Sequence, residues 1–347
     1  MTASTNSSKH SSSRFFVAQL AQMPQSIGRG TIELVAADLD AASSLAHVER
    51  PSDGTTGAKL DNWLADIAGS GTGSPVNVVL PEAVSPGRLA QANEVAVELG
   101  WSVSNVHQFI EYSNPPDVFT VLTGSFSGQD ITSAVGRQTN DIWSIGADDY
   151  GFDVNSVSPA RRLGESVRFA LHGDRLAVGR ATPIVEAWKR LGGDGAKTLA
   201  DDPALLAVAE ALDATNAYAA DLLEEDFSAG VGNRSPTKVA EVGGGPSLGI
   251  FTAAGIRLLV DSGLPKGVPV YAYPDGNAAS SGADGLRQLL TSGRSEVNAK
   301  PWSDQLANPK ITVDGSIVSA TFGFHDMAPA SYWSTALAHD NLLTSAR

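Results

Sequence analysis

Apolar positions recur along the chain with two distinct periods, and the predicted elements follow from them. Residues 31–37 (TIELVAA) form a short β-prone run that predicts a strand. In 59–67, Leu60, Trp63, Leu64 and Ile67 fall at i, i+3, i+4 and i+7, the spacing of one helical face. Residues 76–80 read as a short buried strand, 88–99 as a helix and 118–123 as a strand. The sharpest local signal is 167–179 (VRFALHGDRLAVG), in which two β-prone runs flank Gly173-Asp174 and predict a tight hairpin. A helix is predicted next, with Thr182 as its N-cap, Pro183 in its first turn and Gly192 as its stop. Asp202-Pro203 starts another helix by the same logic, running to about Leu212.

Residues 224–246 are acidic and then Gly-rich, and mark the main boundary. The organisation this implies is a polar tail over 1–14, an N-terminal α+β domain over 15–225, a Gly-rich hinge over 226–246 and a C-terminal α+β domain over 247–347. In the last of these, 248–260 and 268–273 read as strands and 283–291 as a helix. Residues 311–322 read as a second hairpin around Asp314-Gly315, and 331–343 as a closing amphipathic helix. The order strand, helix, hairpin, helix thus occurs twice, each time with a tryptophan (Trp143, Trp302) before the hairpin. The predicted fold class is α+β, with antiparallel sheets, hairpins, flanking helices and an internal pseudo-repeat.

Composition narrows the function classes. Hydrophobic residues make up 42% and charged residues 18% of the 347, which suits an ordered core. The net charge of −14, without any Lys/Arg-rich run, excludes nucleic acid as an expected partner and disfavours anionic lipid headgroups. Without cysteine there is no disulfide, thiolate metal site or thiol nucleophile. No apolar stretch reaches membrane-spanning length, and the Ser-rich start has no apolar core of a signal peptide.

Sequence motifs for catalysis are absent. Residues 124–128 read Gly-Ser-Phe-Ser-Gly and not GxSxG, and there is no phosphate-binding GxxxxGK[ST]. None of the six histidines pair at metal-ligating spacing, and the acids around Gly151 lack the closing glutamate of a calcium loop. The expectation is therefore no catalytic residues, no metal and no cofactor. Aromatics cluster before the first hairpin (Trp143, Tyr150, Phe152) and after the second (Phe322, Phe324, Tyr332, Trp333). Of these, Trp143, Tyr150, Phe152, Phe324 and Trp333 are the candidate ligand-binding residues; aromatics are also what cores use, and core is the first reading of the clusters. A docking scaffold without ligand and a hydrolase with a spatially assembled site remain alternatives.

Three stretches carry a family resemblance: 31–45 (TIELVAADLDAASSL), 167–212 with its hairpin, helix and 198–202 TLADD turn, and 268–322. In general pattern, and without a diagnostic motif, they resemble periplasmic proteins and lipoproteins of actinobacteria, most of all the soluble part of the mycobacterial and corynebacterial polar growth factor (PgfA-type) family. The resemblance implies an extracytoplasmic envelope protein held by an N-terminal anchor outside this chain. It also implies a lipid or glycolipid ligand resembling trehalose monomycolate, and an envelope transporter such as the mycolate exporter as partner.

Overall fold

The computed structural model describes residues 14–27, 32–69, 74–84, 91–114, 116–193, 195–215, 217–224, 248–295 and 298–325. Residues 1–13 of the expected tail, all of the expected hinge over 226–246 and the closing helix expected over 331–343 lie outside these residues.

Eleven strands form one antiparallel sheet among the described residues: β1 (Ile32–Asp38), β2 (Val106–Asn114), β3 (Asp117–Gly124), β4 (Trp143–Ile145), β5 (Val167–His172), β6 (Arg175–Gly179), β7 (Ala219–Glu224), β8 (Ala253–Asp261), β9 (Leu264–Ala272), β10 (Leu306–Asp314) and β11 (Ile317–Phe324). Their order is β10-β11-β9-β8-β7-β1-β2-β3-β6-β5-β4. Read outward from the β7–β1 boundary, each half has the same path: three adjacent strands in sequence, then a hairpin entered by its far strand. The fold is α+β as expected; of the expected repeat, the strand, helix and hairpin occur in both halves, and the closing helix of the second copy lies outside the described residues. The sheet runs unbroken from one half to the other, because β7 pairs with both β1 and β8.

Helices cover both faces. On one face α2 (Leu39–Ala46), α3 (Ala58–Ile67), α4 (Ala92–Leu99), α5 (Gly128–Val135), α8 (Gly276–Ser292) and the short α9 (Trp302–Gln305) contribute to one core. On the other, α1 (Phe15–Leu20), α6 (Thr182–Lys189) and α7 (Pro203–Asp213) contribute to a second. A sheet buried on both faces has continuous apolar strands rather than alternating ones, which is how β5, β6, β8 and β9 read.

Local chemistry explains much of this. Gly173 (φ +63) and Gly315 (φ +57) each take the first position of a two-residue turn, so both expected hairpins form. Asp202 accepts from the amides of Ala204 and Leu205 and caps α7. Asp275 does the same for α8, which begins seven residues earlier than its apolar run suggests. Gly282 within α8 is required by packing, since a Cβ there would lie 2.1 Å from the Tyr273 hydroxyl.

Other expectations are corrected. Thr182 is the first helical residue of α6 rather than its cap; Ala181 precedes it, and the Thr182 hydroxyl donates to Asp149 at 2.9 Å. Residues 76–80 are extended but join no ladder, their amides going to Ile67 O and the Tyr218 hydroxyl. Strand β2 was not expected, because His107, Gln108 and Glu111 interrupt its apolar run. Helix α1 lacks a local cap; the Asp213 carboxylate at the end of α7 accepts from Phe16 and Val17 N–H instead.

Candidate functional site

The loop 146–166, between β4 and β5, displays apolar side chains on a braced backbone. Phe152 is 56% exposed, Val154 79%, Val157 55% and Leu163 62%. Exposed residues this apolar are ordinary one at a time; here four lie along one loop. The backbone is fixed from within. Arg161 is buried, and its guanidinium donates to Glu165 O at 2.7 Å and Gly164 O at 2.8 Å. Glu165 accepts from Leu163 N–H at 2.7 Å, and Asp153 N–H donates to Gly164 O at 3.1 Å. Gly164 sits at φ +68 with its Cα so close to Asp153 O that a Cβ would come within 1.8 Å. The loop is also tied to the body: Ser158 donates to Glu98 at 2.7 Å, and Asp149 takes Arg168 at 3.0 Å.

Beneath the loop lies a cavity of about 30 Å³ lined by Glu82, Thr120, Glu165, Val178 and Arg180. That is room for one or two water molecules, at about 10–15 Å³ each in this measure, and far too little for an acyl chain. Glu111 is buried behind two of these lining residues, Glu82 and Thr120. Its carboxylate accepts from Glu82 N–H at 2.7 and 2.9 Å and from the Thr120 hydroxyl at 2.6 Å. Burial outweighs these bonds and pushes the Glu111 carboxyl up to about 7. Glu82 in turn pairs with Arg180.

Strand registers place these groups in one row across the sheet: Trp143, Phe169, Val178, Thr120, Glu111, Val35, Asp221 and Ile256. Asp221 is buried, its Oδ1 accepts no hydrogen bond among the described residues, and burial followed by the nearby Glu33 charge raises its carboxyl well above the usual range. Two acids thus flank Val35 in a row whose other members, apart from Thr120, are apolar.

A third feature lies at the start of β2. His107 Nδ1 lies 2.8 Å from Asp40 Oδ2, and His107 Nε2 lies 3.4 Å from Ser125 Oγ. Arg50 holds Asp40 at 3.0 Å and anchors itself on the carbonyls of Ser104 and Val106, both at 2.8 Å. A shallow depression lined by Gly54, Trp101, Asn105 and Asp130 opens nearby. The arrangement has the connectivity of a nucleophile, base and orienting acid. The Ser125 amide, however, already donates to Asn105 O at 2.9 Å, so it is not free to stabilise an oxyanion.

The aromatic residues singled out by sequence are dispersed by the fold. Trp143 is buried and stacks on Phe169, with ring centroids 5.8 Å apart at 22°. Tyr150 and Phe152 stand on the exposed loop, where the Tyr150 hydroxyl donates to Asp117. Phe324 is half-buried and meets Phe322 edge-on at the other end of the sheet. Trp333 lies outside the described residues. Sequence reasoning missed Val154, Val157 and Leu163, whose signal was three aliphatic residues in a loop with no helix or strand period. It also missed Ser125 and His107, which no local spacing connects.

No cluster of three or more His, Asp or Glu residues suited to a metal occurs among the described residues. Among them, no helix is long and apolar enough to cross a membrane. No family model matches the chain, and no curated protein matches it. Among solved structures, the chain is similar to crystal form I of TP0453, at 8% identity and a TM-score of 0.40, over 92% of this chain and 97% of that one. Crystal form IV of the same protein aligns at 9% identity and a TM-score of 0.36, over 92% and 96%. A likeness at this level assigns neither a fold family nor an activity.

Proposed function

We propose that this is a non-catalytic, extracytoplasmic envelope protein that engages a lipid-like surface through the apolar loop 146–166. The observation that carries the reading is the display of Phe152, Val154, Val157 and Leu163 on a backbone locked by Arg161 and Glu165. A rigid loop loses little entropy on docking, so the buried apolar area converts efficiently into binding. Among the described residues, the cavity beneath the loop is too small for an acyl chain and the depression beside Trp101 is open to solvent, which fits surface engagement. The envelope setting, a ligand resembling trehalose monomycolate and a transporter partner such as the mycolate exporter rest on the family resemblance. The acidic chain favours neutral glycolipid over anionic headgroups.

The test is co-sedimentation with neutral phosphatidylcholine vesicles, with and without a trehalose glycolipid. The double variant Phe152→Ser, Leu163→Ser is expected to bind roughly tenfold more weakly or worse, given about 1.5–3 kcal/mol for each apolar side chain fully buried. Its thermal unfolding should be unchanged. Equal binding by the wild-type protein and the variant would sink the reading. Failure of both to bind would move the weight to a ligand-free docking scaffold.

A second reading is favoured by the Ser125–His107–Asp40 chain. Asp40 fixes the tautomer with the proton on Nδ1, leaving Nε2 to accept from the Ser125 hydroxyl, the geometry needed for acyl transfer from an ester. A fluorophosphonate probe distinguishes the two readings. Labelling of the wild-type protein that Ser125→Ala abolishes would establish a hydrolase. The expected result, absence of labelling at Ser125, leaves the hydrogen-bonded chain as a tie between α2, β2 and the residues after β3.

A further inference from the structure

The sheet ends at β4, with three residues, and at β10, with nine. The two edges are not equivalent. In the first half β4 covers the outer side of β5, pairing Trp143 with Phe169 and Ile145 with Val167. Aligning the two hairpins on their turns places Asp314 where His172 stands, and therefore Ile311 where Phe169 stands. The position that β4 fills beside β5 is vacant beside β10: among the described residues no strand pairs with its outer side.

The chemistry of that edge is specific. The two-residue turn closes on the Asp314–Ile317 pair, so Asp314, Thr312 and Lys310 direct their backbone groups to β11. Alternation then leaves Ile311 and Val313 with N–H and C=O directed outward. Their side chains lie on the face of α8, where Ile311 packs at the margin of the core and Val313 is 43% exposed. Lys310, Thr312 and Asp314 point to the opposite face and are exposed. Pro309 and the irregularity between Ala307 and Lys310 end regular pairing below this stretch, as edge-protecting features do.

The stretch 310–314 is complementary to itself. In an antiparallel pair of two copies centred on Thr312, Lys310 opposes Asp314 on one face, twice. Ile311 opposes Val313 on the other, also twice, and these are the residues whose backbone groups point outward. Lys310 makes no ion pair among the described residues and contributes only a weak pull on Asp261. From this juxtaposition we infer that β10 pairs with β10 of a second copy of the chain, giving a two-fold dimer with one sheet continued across both protomers. Like charges opposite each other in a ladder are unfavourable and unlike charges favourable, so the centring on Thr312 is selected over a shift in either direction.

An edge contact of five residues is small, and the expected dissociation constant is on the order of 100 μM. Sedimentation velocity on the full chain over a concentration series tests it. The wild-type protein should self-associate. Lys310→Asp and Asp314→Lys should each weaken self-association roughly tenfold, because each sets like charges opposite one another. An equimolar mixture of the two variants should regain wild-type association, since every 310–314 pair across that heterodimer is again of opposite sign. A general defect in folding cannot produce that recovery. The inference is overturned if the wild-type protein stays monomeric up to about 1 mM, if either variant dimerises as the wild type does, or if the mixture fails to recover.

Discussion

Glu111→Gln is expected to stabilise the protein by about 3 kcal/mol at pH 8 and by less than about 1 kcal/mol at pH 5. The reasoning begins with burial. Glu111 titrates at about 7 in the folded chain, against 4.5 in the unfolded one, because the ionised form is desolvated. Below pH 4.5 both states hold the proton and the group has no effect on stability. Between 4.5 and 7 the folded chain keeps a proton that the unfolded chain has lost, so stability falls as pH rises through that window. Above 7 both states are ionised, and the full cost, about 3 kcal/mol, is present. Asp221, also raised, adds to the fall in the same direction. Glutamine keeps the shape, with its oxygen accepting from Glu82 N–H and its amide donating to Thr120, and removes the charge. Urea unfolding at the two pH values is the measurement. A variant equally destabilised at both would show that Glu111 stabilises the fold as an anion.

Trp143→Ala is expected to cost about 3–5 kcal/mol of stability, the usual range for emptying a buried tryptophan site. Its indole is 3% exposed, stacks on Phe169 and donates from Nε1 to Thr132 at 3.2 Å. The truncation removes the ring that closes the sheet edge at β4 and strands the Thr132 contact. Phe152→Ser on the adjacent loop should stay within about 0.5 kcal/mol of wild type, since nothing in the core depends on it. The denaturation midpoints of these two variants therefore separate the aromatic residue that packs from the one that is displayed. If Trp143→Ala unfolded like the wild-type protein but lost vesicle binding, Trp143 would be a ligand residue after all.

Such a separation was not legible in the sequence. Trp143, Tyr150 and Phe152 lie within ten positions of one another, yet one faces the core and another the solvent. Nothing in the pattern distinguishes them, because a loop has no period from which to read a face. The carboxylates were equally hidden. Glu111 looks like a polar interruption in β2, and Asp221 falls just before the acidic stretch taken as the start of a boundary. Only strand pairing through Val35 puts them in one row. Ser125, His107 and Asp40 are separated by 18 and 67 residues and meet only because β2 and β3 pair while α2 packs nearby.

The sequence by itself determined what depends on adjacent residues. A glycine that tolerates positive φ sets both hairpin turns, Asp202 caps α7, and the apolar spacing of α3 selects its buried face. Tertiary structure decided what depends on partners far along the chain. It joined the two halves through β7, capped α1 with Asp213, buried Glu111 and Asp221, and exposed Phe152 and Val313. The physical reason is that turns and caps are satisfied within a few residues, whereas burial, strand register and carboxyl titration belong to surroundings that exist only once the sheet has formed.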